Sequence, residues 1–422
     1  PQRKCLSKCF QAIVKNTYMK QGSKTTKKRV LMALSGGIDS AVSTHLLIKA
    51  GYEVEAAFMK NWSSTAGLKY SDCPWLTDRQ DALRVAAHFG IPMHTVNYEK
   101  QYKNTVMDYF FKEYKAGRTP NPDVMCNKEI KFKVLYNWAR KQGFDYIATG
   151  HYAQVKKVKT KQGSGGRQTV IMSAVKDLIK DSSASSAQNL TRFRRTSPQN
   201  DSKYIYQLVR SKDEFKDQTY FIYNIQQSQL PYLLFPIGSL KKSEVRALAK
   251  KLKLPNANKK ESMGLCFVGQ IRLKDFLEQK LKVKSGPIVD MNGTKIGEHQ
   301  GLAFYTIGQR QGINVGKDGP WFVVSKNLKT NTLTATNNPN DPALQTKQVE
   351  IHSVNWITPP AQFPAKLTGR FRHQGSLEKL TITKQGRGQY LVEFAKSQKA
   401  VASGQSLVLY DGKVCVGGGV IV

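Results

Sequence analysis

One short stretch limits this chain's fold more than any other. It is Ser35-Gly-Gly-Ile-Asp-Ser40, set directly between an apolar run and an amphipathic one. Arg29–Leu34 (RVLMAL) reads as a buried strand. Ala41–Ala50, with Val42, Leu46 and Leu47 near helical spacing, reads as the helix after it. Consecutive glycines let backbone amides turn inward without steric cost. Those amides, the helix amino terminus and two hydroxyls form an anion cradle. It is not a Walker A loop, because the closing Gly-Lys-Ser/Thr is missing. A ligand-free strand-to-helix turn is the plainer reading of such glycines, and the surrounding pattern weighs against it.

That pattern is an alternation of strands and helices. Glu53–Met59, Met93–Tyr98 and Asp145–Thr149 read as strands. Between them, a helix is expected from a capping box at Thr77–Gln80 through His88, another up to Gly117, and a third over about Lys128–Lys141. Alternation of this kind predicts an α/β fold with a doubly wound parallel sheet. Residues 156–203 break the pattern and read as a flexible insertion, with stretches such as KKVKTKQGSGGRQ and DSSASSAQN. Ser243–Lys253 is expected to be a basic helix. From about Gly286, short alternating runs between turn residues predict β structure, with a small barrel or sandwich at the carboxyl end. The expected division is a basic leader (1–28), a catalytic domain (29–224) carrying the insertion, a central domain (225–345) and a barrel (346–422).

Charge narrows the partner. The chain of 422 residues has 66 Lys plus Arg against 30 Asp plus Glu, a formal net charge of +36. Such an excess repels itself in a compact state and points to a polyanion, nucleic acid before a membrane surface. No run of ~18 apolar residues is present, so no membrane-inserted helix is expected. No acidic residue precedes Asp39, and the first 29 residues hold nine Lys or Arg. An acid-free basic leader suggests an organellar transit segment or its remnant, against the plainer reading of a basic tail that touches RNA.

The six cysteines are scattered, with no Cys-x-x-Cys pair, which leaves a zinc ribbon without support. No permanently bound metal is expected. Two cysteines lie in distinctive loops. Cys126 follows Thr119-Pro-Asn-Pro-Asp-Val-Met125, near an expected helix start and close in sequence to Lys128 and Lys131, where a thiolate would be stabilised. Asp123, three residues earlier, is a candidate acid/base. Cys266 sits between Gly264 and Gly269. Two thiols on separate loops suit sulfur relay, one carrying a persulfide that the other resolves. The plainer reading of either is a buried small hydrophobe.

The Ser-Gly-Gly-Ile-Asp-Ser loop after a buried strand resembles the pyrophosphate loop of the N-type ATP pyrophosphatases. With it, AFMKNW (57–62), GRTPNPDVMCNKEIKFK (117–133), ATGHYA (148–153), KDQTYF (216–221), LFPIG (234–238), GLCFVG (264–269), YTIGQRQG (305–312), PWFVV (320–324), GQS (404–406) and VCVGGGVI (414–421) stand in one order. Together they closely resemble the tRNA-specific 2-thiouridylase family over roughly residues 29–422, its mitochondrial branch above all. Joined to the basic leader, the resemblance implies a mitochondrial location, with the cytoplasm as the alternative. The resemblance implies ATP-dependent replacement of uridine O2 by sulfur at the wobble position of tRNA. It implies ATP, held with Mg2+, at Ala33, Leu34, Ser35, Gly36, Gly37, Ile38, Asp39, Ser40, Met59 and Gly150, with Asp39 toward the metal. Asn121, Pro122 and Asp123 would meet the target base. Cys266 would carry the persulfide and Cys126 would attack it to form a disulfide. His151, Lys216, Asp217, Gln218, Phe371, Arg372 and Gln405 would contact the anticodon stem-loop. A persulfide donor or relay protein is a further implied partner. Two other classes stay open at this point: an amide-forming ligase with the same loop, which needs no thiol relay, and a non-catalytic organellar RNA-binding protein, which needs no phosphate loop.

Overall fold

The computed structural model describes residues 27–62, 74–159, 204–260, 277–278, 281, 283–313, 315 and 319–422. The leader, most of the insertion and the Cys266 loop lie outside these residues.

The first unit is the expected parallel sheet. Strands β1 (Arg29–Ala33), β2 (Glu53–Lys60), β3 (Met93–Asn97), β4 (Tyr146–Thr149) and β7 (Leu233–Leu234) stand in the order β3-β2-β1-β4-β7, every neighbour parallel. β1 is buried along nearly its whole length, as both faces of such a sheet are covered. Successive strands step outward from β1 to β3, and β4 then returns to the other side of β1. The crevice beyond the carboxyl ends of β1 and β4 is therefore the topological switch point, where open α/β sheets bind ligands. Because β7 lies at Leu233–Leu234, this sheet draws on chain beyond residue 224.

Helix α1 is Ile38–Lys49, three residues earlier than its apolar spacing suggests, so Asp39 and Ser40 stand in its first turn. α2 is Pro74–Phe89. The capping-box reading of Thr77–Gln80 is thereby corrected: those residues lie inside the helix, which begins on a proline whose fixed φ suits a first position. α3 (Glu99–Tyr102) passes through a π-helical stretch, Lys103–Met107, into α4 (Asp108–Lys115). α5 (Pro122–Met125) passes through another, Cys126–Leu135, into α6 (Tyr136–Lys141). The expected helix start at Lys128 is corrected as well. The helix begins at Pro122, with Asn121 as its N-cap.

β5 (Ala153–Lys159) and β6 (Tyr204–Arg210) form an antiparallel hairpin. Residues 156–159, counted in the insertion by composition, are therefore strand. α7 (Thr219–Ile222) follows, and α8 (Lys242–Lys251) packs its buried Val245 and Ala249 into the core cluster that holds Ile38, Ala41 and Val42 of α1. A small sheet, β10-β11-β8-β9, comprises β8 (Gly286–Val289), β9 (Lys295–His299), β10 (Phe322–Asn327) and β11 (Thr332–Thr336), with Ile288, Val323 and Leu333 in its core.

The carboxyl-terminal unit is a closed six-stranded barrel. β12 (Gln345–Trp356), β15 (Gln389–Lys399), β14 (Glu378–Gly386), β13 (Ala365–Arg370), β16 (Ser406–Asp411) and β17 (Val414–Ile421) pair in turn, and β17 pairs back onto β12. Closure leaves the barrel without free edges. A strand pairing joins it to the first unit: Val414 and Cys415 of β17 pair with Val209 and Leu208 of β6.

Candidate functional site

The Ser35–Ser40 loop lies at the switch point. Gly36 adopts φ 76°, a left-handed conformation that glycine reaches without strain. The Ser40 hydroxyl donates to the Gly37 carbonyl at 2.9 Å and lies 3.3 Å from the Ser35 hydroxyl, so both face the loop. Gly150, just past β4, lies so close to this turn that a Cβ there would come 2.8 Å from the Ser40 amide nitrogen. Met59, near the end of β2, packs against the core cluster containing Ala33. Residues read from separate motifs thus meet at one crevice.

Four residues that sequence reasoning missed complete it. Lys242, in the first turn of α8, places Nζ 2.7 and 2.9 Å from the two carboxylate oxygens of Asp39. The Tyr152 hydroxyl donates to the same carboxylate at 3.0 Å. The Asn256 side-chain amide donates to the Gly36 carbonyl at 2.9 Å, and Lys259 bridges Asp78 and Asp81 of α2 at 2.7 and 2.6 Å. Tyr152 stood inside a quoted motif and could have been found. Lys242, Asn256 and Lys259 lie in a basic stretch where nothing local marks them.

The second part of the site is the turn leading into α5. The Asn121 side chain accepts from the Val124 amide at 3.2 Å, which caps the helix. Asp123 and Cys126 are three residues apart in a helical run and share a face. Cys126 is only 2% exposed and belongs to the apolar cluster that includes Ala33 and Val124. Burial alone would therefore read it as a core thiol; its setting is what marks it. Lys128, expected to stabilise its thiolate, is exposed and reaches toward Glu129.

The other two units hold this turn. The Thr119 amide donates to the Ser403 carbonyl at 3.0 Å, and the Gln405 side chain donates to the Thr119 carbonyl at 2.7 Å. Thr306 of the central unit lies 3.2 Å from Thr119, hydroxyl to hydroxyl. The buried Tyr220 hydroxyl lies 3.2 and 3.1 Å from the backbone carbonyls of Phe371 and Ser406, between which its one proton is shared, and also bonds the Asn121 side chain. Asn127 donates to the Phe221 carbonyl at 3.1 Å.

The residues assigned to RNA contact divide in two. Lys216, Phe371 and Arg372 reach the surface in part, Arg372 also donating to the Ala400 carbonyl at 2.6 Å. Asp217 is fully buried, ion-paired with Arg370 and bonded by Ser211 and Thr219. The Gln218 side-chain oxygen accepts from the Tyr152 amide at 2.9 Å and the Gln218 amide donates to the Tyr152 carbonyl at 2.8 Å, which steadies the tyrosine that orients Asp39. His151 is buried against Phe132 and Phe235, with Nδ1 2.7 Å from the Thr149 hydroxyl. Burial first, then the charge of Lys131, holds its pKa well below the ordinary imidazole range. His373, beside Phe221, is pushed down to about 4 by burial and then by Arg370.

Inward amides, two hydroxyls, a helix start and a lysine suit a phosphate chain. No cluster of three His, Cys, Asp or Glu that could hold a metal occurs among the described residues. A single carboxylate, Asp39, would suit a magnesium ion that took its remaining oxygens from phosphates and water.

Comparison with known proteins gives the following. Residues 28–270 match the family model described as tRNA methyl transferase HUP domain. Residues 274–336 match the tRNA methyl transferase PRC-barrel domain, and 346–421 the aminomethyltransferase beta-barrel domain. A protein of Halalkalibacterium halodurans described as tRNA-specific 2-thiouridylase MnmA is 40% identical over 403 residues, 95% of this chain and 96% of its own. A protein of Pseudomonas fluorescens with the same description is 40% identical over 405 residues, 94% of this chain and 96% of its own. Among solved structures, a 4-thiouridine synthetase–RNA complex with bound ATP aligns at 15% identity and TM-score 0.33, covering 60% of this chain and 50% of that one.

Proposed function

The chain belongs to the tRNA-specific 2-thiouridylase family, a family of tRNA sulfurtransferases, and from that premise we propose that it replaces O2 of the wobble uridine with sulfur at the expense of ATP. The observation that carries the reading is the pairing of a phosphate-shaped loop with a thiol-bearing turn around one core, the turn held by the barrel.

Each part answers a chemical need. The uracil C2 carbonyl is a poor electrophile. ATP, as co-substrate, supplies an adenylate that makes O2 a leaving group and frees pyrophosphate. Ser35–Ser40 would bind its phosphates, with magnesium at Asp39. The base must leave the anticodon stack to reach a pocket. Asn121, Pro122 and Asp123 would receive it, with Asp123 handling the proton. Cys266 carries the persulfide, loaded by an external donor. The Cys126 thiolate attacks the inner sulfur, a disulfide forms between the two cysteines, and the released hydrosulfide adds to C2. AMP then departs, and an external thiol reduces the disulfide. The net charge of +36 suits the phosphates of the anticodon arm. The acid-free segment before Asp39 supports a mitochondrial site of action. Subcellular fractionation checks it, and a purely cytosolic protein would refute it.

The test is nucleoside mass analysis of tRNA incubated with the full chain, ATP, magnesium and a persulfide donor. Thiolated uridine is expected with the wild type and absent with Cys126→Ser and Cys266→Ser. Undiminished product from either variant would remove that thiol from the reaction. A methylated base in place of a thiolated one would overturn the proposal.

A further inference from the structure

Lys326 of β10 has no part in the chemistry above, yet its setting is costly. The residue is partly buried. Burial alone lowers its pKa to about 8, and no carboxylate among the described residues offsets its charge. A methionine would fill similar space without taking a cation out of water. What the ammonium does is donate to the Tyr305 carbonyl at 2.9 Å. On the other side of that peptide, the Thr306 amide donates to the Gln309 side chain, also at 2.9 Å. Both polar groups of one peptide unit are thus held by side chains, which fixes its plane. Gln309 is itself anchored. Its side chain donates to the Gln311 carbonyl at 2.8 Å, and its carbonyl accepts from the Val323 amide of β10 at 3.1 Å. The residue this clamp presents is Thr306, whose hydroxyl lies 3.2 Å from that of Thr119. Thr119 stands two residues before Asn121, the N-cap of the helical run that carries Asp123 and Cys126.

We propose that Lys326 is a positioning residue for sulfur transfer: through the Tyr305–Thr306 peptide it sets where the central unit holds the turn that carries Cys126. The inference rests on the thiolation reading of the site. The barrel grips the same turn through Ser403 and Gln405, so two units hold it, and the central one does so through a charge. A charged donor makes a hydrogen bond roughly twice as strong as a neutral one, so the ammonium holds the peptide more firmly than the free amine would. Few other groups titrate around it. Strand β11 (Thr332–Thr336) has none, and the 305–309 segment has only Tyr305, whose pKa burial raises. Arg310 beyond that segment is exposed, and β15 contributes Lys399, 5.0 Å from the Phe322 ring.

The experiment is steady-state thiolation of tRNA by the full chain across pH, with denaturation of the same samples. Lys326→Met is expected to lower kcat by about 10- to 100-fold, as misplacement of reacting groups by up to about 1 Å does, and to leave KM for tRNA and ATP within about twofold. Thr306→Val should lower kcat alike, and the double variant should lose no more than either single one. In the wild type, kcat should fall as pH rises through about 8, where the native amine gives up its proton. Stability should rise over the same interval, because the unfolded chain still holds that proton, so the fall in rate is not unfolding. Lys326→Arg, which stays charged there, should restore most of the activity and remove the fall. An unchanged kcat in Lys326→Met overturns the inference alone. Additive losses in the double variant overturn it too, since the lysine would then act by a path that avoids Thr306. Should the methionine variant unfold, Lys326→Arg carries the test, and a fall near pH 8 that persists in it refutes the role of Lys326. A wild-type chain that thiolates no tRNA removes the thiolation reading and this inference with it.

Discussion

Replacing Arg370 by Met should cost the protein stability rather than RNA contacts. Asp217 is fully buried and Arg370 is 3% exposed. Removing one member of a buried pair leaves an uncompensated charge, at about 3–5 kcal/mol. Asp217 would keep the Ser211 amide at 3.1 Å, the Thr219 hydroxyl at 2.8 Å and the Arg210 guanidinium at 3.5 Å. Those survivors place Arg370→Met at the lower end, about 3 kcal/mol, or roughly 150-fold in the folded-to-unfolded ratio. Asp217→Asn leaves Arg370 with the Tyr410 hydroxyl at 3.2 Å and should cost somewhat less. The double variant should lose less than the sum of the singles, with a coupling of about 1–3 kcal/mol. Equilibrium denaturation followed by the fluorescence of Trp356, on β12 of the barrel, measures all three. A loss under about 1 kcal/mol for Arg370→Met, or strict additivity, would refute the view that this pair ties the barrel to the first unit.

Two further outcomes follow from the site. His151 and His373 both have native pKa values depressed below 6.5 by burial. The unfolded chain therefore takes up protons near that pH which the native state refuses. Stability should be fully present above about pH 6.5 and fall as pH drops below it, by up to about 1.4 kcal/mol per pH unit for each histidine. Denaturation midpoints between pH 7.5 and 5.5 check this, and a midpoint that rises on acidification contradicts it. Lys216→Ala should lower the salt dependence of tRNA binding by about one unit of log–log slope, as loss of one phosphate contact does. An unchanged slope in filter binding across salt would take Lys216 off the RNA surface.

What could be read from the sequence was whatever is local. The Ser35–Ser40 loop signals itself because glycine, hydroxyls and a strand-helix junction stand within six residues. The order of strands and helices follows from periodicity, and so does the parallel sheet. The helix at Pro122 was also legible, since Asn before Pro is an N-cap followed by a first-turn proline. The two closely spaced prolines of the same stretch point the other way, to a loop with the helix starting only near Lys128. The partners of Asp39 and Asp217 were not legible. Lys242 and Arg370 are 203 and 153 residues away in sequence, and nothing in their neighbourhoods distinguishes them from other basic residues. Resemblance placed Asp217 among the RNA contacts. Its burial comes from the docking of the barrel on α7, a matter of packing between units that no local pattern encodes.

The barrel's grip on the α5 turn can be tested without touching a reactive group. Gly404 has φ 88°, and a Cβ there would lie 3.0 Å from the Thr119 backbone and the Arg118 side chain. Gly404→Ala therefore forces a choice. Either the alanine is held in a left-handed conformation at about 1–3 kcal/mol, or the 403–405 segment retreats from Thr119. Retreat would stretch the Ser403–Thr119 bond of 3.0 Å and the Gln405–Thr119 bond of 2.7 Å together. The turn carrying Asn121, Asp123 and Cys126 would then lose the support that fixes it relative to the phosphate loop. Misplacement of reacting groups by as little as about 1 Å can cost around 100-fold in rate. The variant should thiolate tRNA far more slowly while binding pyrophosphate as the wild type does, because the loop itself is untouched. A variant that loses thermal stability yet thiolates at the wild-type rate would show that the clamp serves folding alone.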